Sequence, residues 1–217
     1  MKKVLIILGI LASVTAFSEG NKVEVRVGGD IMPQFSVDGP EKDAEFSYEL
    51  GVEYRREVMP NFEIGGGIAY QDHGKLQKYT QSEYGMNVES TIDLYDSVPL
   101  YLTARYNFKN ATEVTPYVKA SLGYSFNVND GDQKIKISDP RTGATITDDD
   151  LLRSFDVDNG WYYAVGAGAE YKGFTVDLAY QVNTADVHGT YWDGDSAGSG
   201  NADYSRMTLG LGYNFGF

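Results

Sequence analysis

Alternation between apolar and polar residues dominates the chain after its first twenty residues. In eight segments, large apolar side chains stand at every second position, with polar or small residues between them. A period of two is typical of β-strands whose two faces meet different surroundings. The segments cover residues 23–31, 45–55, 62–71, 98–108, 118–126, 161–171, 174–182 and 206–217. Each is close to the length of about 9–11 residues that a tilted strand needs to cross a bilayer.

The connections between these segments alternate between short and long. Short links cover residues 58–61, 109–113 and 172–173, long polar links cover 71–92, 129–159 and 183–203, and the link at 37–43 is intermediate. Short turns at one end and long loops at the other are typical of outer-membrane barrels, whose turns face the periplasm. We therefore predict an all-β fold, an eight-stranded antiparallel up-and-down transmembrane β-barrel with both chain ends in the periplasm.

The composition of the two faces indicates which one meets lipid. The apolar faces carry aromatic residues near the strand ends, as in Phe46 with Tyr54 and Trp161 with Tyr171. Two aromatic girdles around an apolar belt are the signature of a membrane barrel, whereas a soluble barrel is apolar inside. Eight strands also leave little room inside for bulky side chains. The apolar faces are therefore predicted to point outward.

The opposite faces combine small residues with charges of both signs. The charged residues there are Glu24, Arg26, Asp30, Glu49, Glu53, Arg55, Glu63, Arg105, Lys119, Glu170, Asp177 and Arg206. Buried charges are tolerated when they are paired. We predict a lumen closed by a network of ion pairs with a structural rather than a catalytic role.

The first residues have the features of a secretory signal peptide. Lys2 and Lys3 precede an apolar core over residues 4–12, and small residues follow up to Ala16. The core is shorter than the roughly 20 apolar residues of a membrane-spanning helix. This pattern predicts a signal peptide over residues 1–16 and a barrel domain over residues 17–217.

Composition narrows the possible partners and cofactors. The chain has no cysteine, which excludes a disulfide framework and thiolate metal sites. Its formal net charge of −13 makes nucleic acid an improbable partner, because a polyanion repels phosphate. The acidic runs at residues 148–150 and 193–195 could bind Ca²⁺ or bridge cations to lipopolysaccharide, but neither fits an EF-hand loop. No cofactor and no metal site are predicted.

The last strand carries a further signal. Thr208, Gly210, Tyr213, Phe215 and the terminal Phe217 match the pattern that the barrel-assembly machinery reads. With this strand, residues 98–108 and 116–118 and the signal peptide, the chain resembles the small outer-membrane β-barrel superfamily of the OmpA transmembrane domain, OmpX and OmpW-like proteins. The resemblance implies a fold and a location in the outer membrane. It does not imply one activity, because members include anchors, adhesins, porin-like channels and a few enzymes.

Three functions remain open, and long loops on a rigid scaffold favour the first. The first is a structural or surface-interaction role without catalysis. The predicted protein is a monomer, and its predicted partners are outer-membrane lipid, lipopolysaccharide, the assembly machinery and a host or surface ligand. The second is a narrow pore for small solutes or ions. The third is a hydrolase at the barrel rim, using His73 beside Asp72, or His188 two residues after Asp186.

Overall fold

A computed structural model describes most of the chain after the predicted signal peptide. The described residues are 20–38, 42–76, 79–83, 86–129, 132–148, 154–190 and 196–216. The predicted signal peptide and Phe217 lie outside them. Within these ranges, no helix is long and apolar enough to cross a membrane.

Eight long strands form a closed ring. They are β1 (Asn21–Asp30), β2 (Tyr48–Met59), β3 (Phe62–Asp72), β4 (Asp96–Asn107), β5 (Val114–Asn129), β6 (Gly160–Tyr171), β7 (Phe174–Thr190) and β8 (Ser196–Gly216). Each strand pairs antiparallel with the next, and β8 pairs with β1. This ring confirms the predicted eight-stranded up-and-down barrel.

The two ends of the barrel differ in their connections. At one end, which we call the turn side, short turns join β2 to β3, β4 to β5 and β6 to β7. Asn61 and Lys172 have positive φ angles of 68° and 50°, in the left-handed region that tight turns use. At the other end, the loop side, the chain makes its long connections. Both described chain ends, in β1 and β8, lie on the turn side.

On the loop side, the strands extend further than the alternation predicted. β7 has 17 residues and β8 has 21, whereas the prediction ended the seventh strand at Val182 and began the eighth at Arg206. The connections also contain strands, at Gln34–Val37, Lys42–Asp43, Tyr79–Glu83, Met86–Asp93, Asp132–Ser138, Thr145–Asp148 and Ser154–Val157. Four of these form a separate antiparallel sheet, the loop sheet, in the order Thr145–Asp148, Asp132–Ser138, Met86–Asp93, Tyr79–Glu83.

Around the turn-side part of the barrel, which we call the belt, large apolar side chains cover the outer surface. Leu102 is 75% exposed and Phe174 is 66% exposed, as expected of side chains that face lipid. Val23 and Val182 are on the same outer face but are buried, Val23 between its cross-strand partners Tyr54 and Phe215. The predicted apolar faces therefore lie outside.

Above the belt the polarity of the barrel reverses, in a part that we call the crown. There, apolar side chains point inward and form one buried cluster. The cluster contains Phe35, Ala44, Leu76, Leu94, Tyr95, Val157, Ala185, Val187, Ala202 and Tyr204. The core of this protein is thus two different layers, a polar lumen in the belt and an apolar cap in the crown.

Candidate functional site: a filled lumen beneath an apolar cap

Arg55 is the centre of the ion-pair network in the lumen. Its guanidinium is fully buried, and its Nη2 lies 2.6 Å from Glu24 Oε2 and 2.7 Å from Asn214 Oδ1. Its Nη1 donates to Glu53, and its Nε lies 3.2 Å from Glu63 Oε2. Three carboxylates, one each from β1, β2 and β3, therefore surround one cation, a geometry that suits the planar fork of arginine.

A second cluster occupies the middle of the lumen. Arg26 Nη1 lies 2.9 Å from Glu49 Oε1, and Arg26 Nη2 lies 2.8 Å from Asp177 Oδ1. Lys119 Nζ lies 3.1 Å from Glu53 Oε1, which joins this cluster to the one around Arg55. The two clusters form one continuous network across the barrel axis.

Toward the turn side, Arg105 closes the network. Its Nη2 contacts Glu170 Oε2 at 2.5 Å, and its guanidinium lies 3.6 Å from the centre of the Tyr117 ring. At the rim, Lys22 Nζ lies 2.9 Å from Glu63 Oε1. Stacking and ion pairing together immobilise these side chains at the turn-side entrance to the lumen.

The charges of the lumen nearly cancel. Five buried cations, Arg26, Arg55, Arg105, Lys119 and Arg206, face six buried carboxylates, Glu24, Asp30, Glu49, Glu53, Glu63 and Asp177. Lys22 at the rim supplies a sixth cation, and the partly buried Glu170 is held by Arg105. Every charged residue that the alternation placed on the inner faces contributes to this network.

Above the ion pairs lies a layer of buried amides that the sequence analysis did not identify. Arg206 donates to Asn183 Oδ1 at 3.1 Å and to Gln181 Oε1 at 2.9 Å. Asn183 Nδ2 in turn donates to Gln71 Oε1 at 3.0 Å and to Ser125 Oγ at 3.0 Å. These residues are uncharged, so only their inward position in the alternation could have indicated them.

The packing leaves little free volume in the middle of the lumen. A cavity of about 10 Å³ lies there, lined by residues that include Arg26, Lys119 and Gln181. This is room for about one water molecule. Within the described residues, Arg26 Nε and Gln181 Nε2 have no hydrogen-bond partner, and both side chains line this cavity.

His73 marks the boundary between the polar lumen and the apolar cap. Its ring is fully buried between Tyr95 and Tyr204, with ring centres 4.5 and 4.2 Å away. Burial, together with the positive charge of Arg206, lowers the pKa of His73 well below its ordinary value. The ring is therefore neutral, and its Nδ1–H donates to the carbonyl oxygen of Tyr95 at 2.8 Å.

The histidines proposed for a rim hydrolase are not paired with their sequence neighbours. Asp72 accepts a hydrogen bond from the backbone of Gly74 at 2.8 Å. His188 is on the outer face of the crown, and its Nε2 lies 3.2 Å from Asp158 Oδ2, with half of the side chain exposed. Of the acidic runs, residues 149–150 and 193–195 lie outside the described residues, as does the side chain of Asp148.

The residues of the predicted assembly signal occupy both faces of β8. Thr208 is buried and donates to Asp30, while Tyr213 and Phe215 face outward with ring centres 4.8 Å apart. At Gly210, a Cβ atom would lie 2.2 Å from Arg26 Nη2. Gly210 thus makes room for the ion pairs of the lumen. Recognition of this strand by the assembly machinery stays a prediction.

A closed ring with an apolar outer belt and a charged lumen defines the class of transmembrane β-barrels. Residues 4–215 match the family described as "Outer membrane protein beta-barrel domain", and the chain belongs to this family. This membership indicates the outer membrane of a bacterium as its location.

The chain is also similar to other proteins in sequence or in structure. The chain is 25% identical over 236 residues to "Uncharacterized protein PM1543" of Pasteurella multocida, covering 99% of this chain and 98% of that protein. The outer membrane protein OprG from Pseudomonas aeruginosa is similar in structure, with a TM-score of 0.50, 12% identity, and coverage of 92% of this chain and 97% of OprG. The attachment invasion locus protein Ail of Yersinia pestis gives a TM-score of 0.44 at 15% identity, covering 91% of this chain and 100% of Ail.

Proposed function

We propose that this protein is a non-enzymatic surface-interaction protein, whose loop side faces the cell exterior and binds a partner. Both chain ends then lie in the periplasm. The observation that carries the proposal is the loop sheet, because the longest connections of the barrel form an ordered platform rather than a lid or a channel entrance. Loops held on a rigid scaffold are where binding residues are usually found.

Two strands of the loop sheet lie next to barrel strands along the chain. Asp96 pairs with Asn129 at the top of β4 and β5, and Asp93 pairs with Asp132 directly above. An ion pair of 2.9 Å between Lys75 Nζ and Asp93 Oδ1 fixes the base of the sheet to the crown. The loop sheet is therefore attached to the barrel beside β4 and β5.

The two faces of the loop sheet have different chemistry. On one face Val88 stands opposite Ile137, and Ile92 below them packs against the apolar cap. On the other face Glu89 stands opposite Lys136. The apolar face thus meets the cap at Ile92, and the opposite face carries charged residues.

The margins of the loop sheet favour a protein partner. The strands Tyr79–Glu83 and Thr145–Asp148 end the sheet on its two sides. Edge strands offer backbone N–H and C=O groups to an added strand. We propose an extended segment of a surface protein, from a host or from another cell, as the partner.

The filled lumen supports binding over conduction. Eight strands leave an interior that side chains can fill, and here ion pairs and amides surround a cavity of about 10 Å³ in the middle of the lumen. The charged lumen is the observation that favours the rival function, a narrow pore. Planar-bilayer recordings of the purified barrel separate the two, because discrete conductance steps would support the pore.

The proposal is tested by removing the loop sheet while keeping the barrel. A variant lacking residues 133–147, joined by a short glycine–serine linker, should insert normally but lose adhesion of expressing cells to epithelial cells and to one another. A matched variant replaces only the tip, residues 139–144, by Asn-Gly and keeps the paired strands. We expect adhesion to survive in the tip variant, and unchanged adhesion in the deletion variant would contradict the proposal.

A further inference from the structure

We propose a phospholipid-binding site on the outside of the belt, formed by Arg56 and an apolar groove whose floor is Gly66. Arg56 would bind the phosphate of the headgroup, and the groove would hold an acyl chain. The site goes beyond the proposed surface function. It depends on the proposed orientation only in placing the lipid in the periplasmic leaflet.

Arg56 is an unusual residue for its position. It is exposed on the outer face of β2, where its cross-strand partners are Asn21 and Ile64 and the next outward residue along the strand is Tyr54. Among the residues that the structure describes, no ion pair is recorded for Arg56, although the inward-facing arginines all have carboxylate partners.

The position of Arg56 along the barrel axis, near the aromatic girdle, explains how a charged side chain can lie on the lipid-facing surface. It stands opposite Ile64, one outward residue above the girdle row in which Phe62 pairs with Tyr106. An arginine close to a girdle can extend its guanidinium to the interface. There, a lipid phosphate is the nearest abundant anion, and guanidinium and phosphate form paired charge-assisted hydrogen bonds.

An apolar groove begins at Tyr54, the next outward residue along β2 from Arg56. It has a volume of about 820 Å³, and its walls include Val52, Tyr54, Ile68, Leu100 and Leu102. Gly66 lies in its floor, between its cross-strand partners Tyr54 and Leu102. The groove is continuous with the lipid-facing surface of the belt, so its occupant is a hydrocarbon chain of the bilayer.

Gly66 is not required by the interior of the barrel, unlike its neighbours. A Cβ atom at Gly65 would lie 1.8 Å from Tyr54 O, and one at Gly67 would lie 2.6 Å from the Tyr101 ring. At Gly66 the nearest atom is Tyr101 O, at 3.3 Å. A larger side chain at Gly66 therefore fits with a small adjustment and would fill the groove.

The test counts the phospholipid molecules that stay bound when the barrel is released from nanodiscs of phosphatidylethanolamine and phosphatidylglycerol into a native mass spectrometer. The natural sequence should retain one phospholipid. Arg56→Gln should lower its occupancy about tenfold, through the loss of charge-assisted hydrogen bonds. Gly66→Leu should lower it about fivefold, because it displaces roughly a methylene or two of the acyl chain.

Two matched variants control for general effects of charge and size. Lys172→Gln removes an exposed cation on the turn side, and Ala167→Leu enlarges an outward residue of β6 that does not line the groove. Both should retain phospholipid like the natural sequence, and the altered electrophoretic mobility of folded barrels confirms folding of all four variants. Undiminished retention by Arg56→Gln or by Gly66→Leu, or an equal loss in Lys172→Gln, would overturn the proposal.

Discussion

The belt and the crown are built from the same strands but have opposite polarity. On the outer face of β7, the belt presents Phe174 and Leu178, whereas the crown presents Asp186 and His188. On the inner face, Asp177 and Gln181 lie in the belt, and Ala185 and Val187 in the crown. One strand thus changes from the pattern of a membrane barrel to that of a soluble one. The surroundings, lipid below and water above, determine which face is apolar.

The two parts are consequently stabilised by different interactions. In the belt, lipid surrounds the apolar outer face, so moving apolar side chains into the lumen would gain little from the hydrophobic effect. The side chains of the lumen are instead held by ion pairs and hydrogen bonds. Such networks are stable when complete and costly when one member is removed. In the crown, water surrounds the barrel, and the apolar cap is stabilised as in a soluble protein.

The largest effect that separates the two parts should come from Arg55→Met. It leaves Glu24, Glu53 and Glu63 without their shared cation in a buried site. We expect a loss of about 4 kcal/mol in the free energy of unfolding, measured by urea titration in lipid vesicles. Lys109→Met, which breaks an exposed pair with Glu57, is the control and should cost under about 1 kcal/mol. Equal effects of the two substitutions would show that the network is not cooperative.

A smaller effect is expected from Phe35→Ala in the crown. Phe35 is 5% exposed within the apolar cap and stands opposite Tyr204. Removing its ring should cost about 3 kcal/mol and increase amide hydrogen exchange in the crown. Exchange in the belt should stay slow, because no ion pair is affected. Faster exchange throughout the barrel would mean that the two parts unfold as one unit.

This difference between the parts also explains what the sequence could predict. In the belt, period-two alternation was clear because one face is continuously apolar, as in residues 174–182, and the charged lumen residues followed directly from it. The strand number, the ring and the inward charges were all derivable in this way. The ion-pair partners could not be derived, because alternation shows that Arg55 points inward but not which carboxylates surround it.

The strand ends in the crown were not predicted, because the alternation of apolar and polar residues changes phase between the belt and the crown. Beyond Val182 the apolar positions of β7 move from even to odd numbers, to Ala185 and Val187. In β8 they are odd in the belt and even in the crown, at Ala202 and Tyr204. An alternation of one phase ends where the phase changes, so it predicts polar links in place of the strand tops. A search for alternation of the opposite phase next to each predicted strand could have identified the strand ends of the crown.

The boundary between the two parts should respond to pH through His73. Because burial lowers the pKa of this side chain, the unfolded chain takes up a proton below a pH of about 6.5 and the folded crown does not. Stability should therefore fall as the pH falls from about 6.5, by up to about 1.4 kcal/mol per pH unit.

Other charged groups lie close by, because Arg206 acts on His73 and both Asp30 and Asp72 act on the neighbouring Tyr204, so the measured quantity is a difference between variants. His73→Phe keeps a ring between Tyr95 and Tyr204 and removes the titration. Between pH 7.5 and 5.5, the unfolding free energy of the natural sequence should fall by about 1 kcal/mol more than that of His73→Phe. If the curve for His73→Phe ran parallel to that of the natural sequence, His73 would not be the group that couples the stability of the crown to pH.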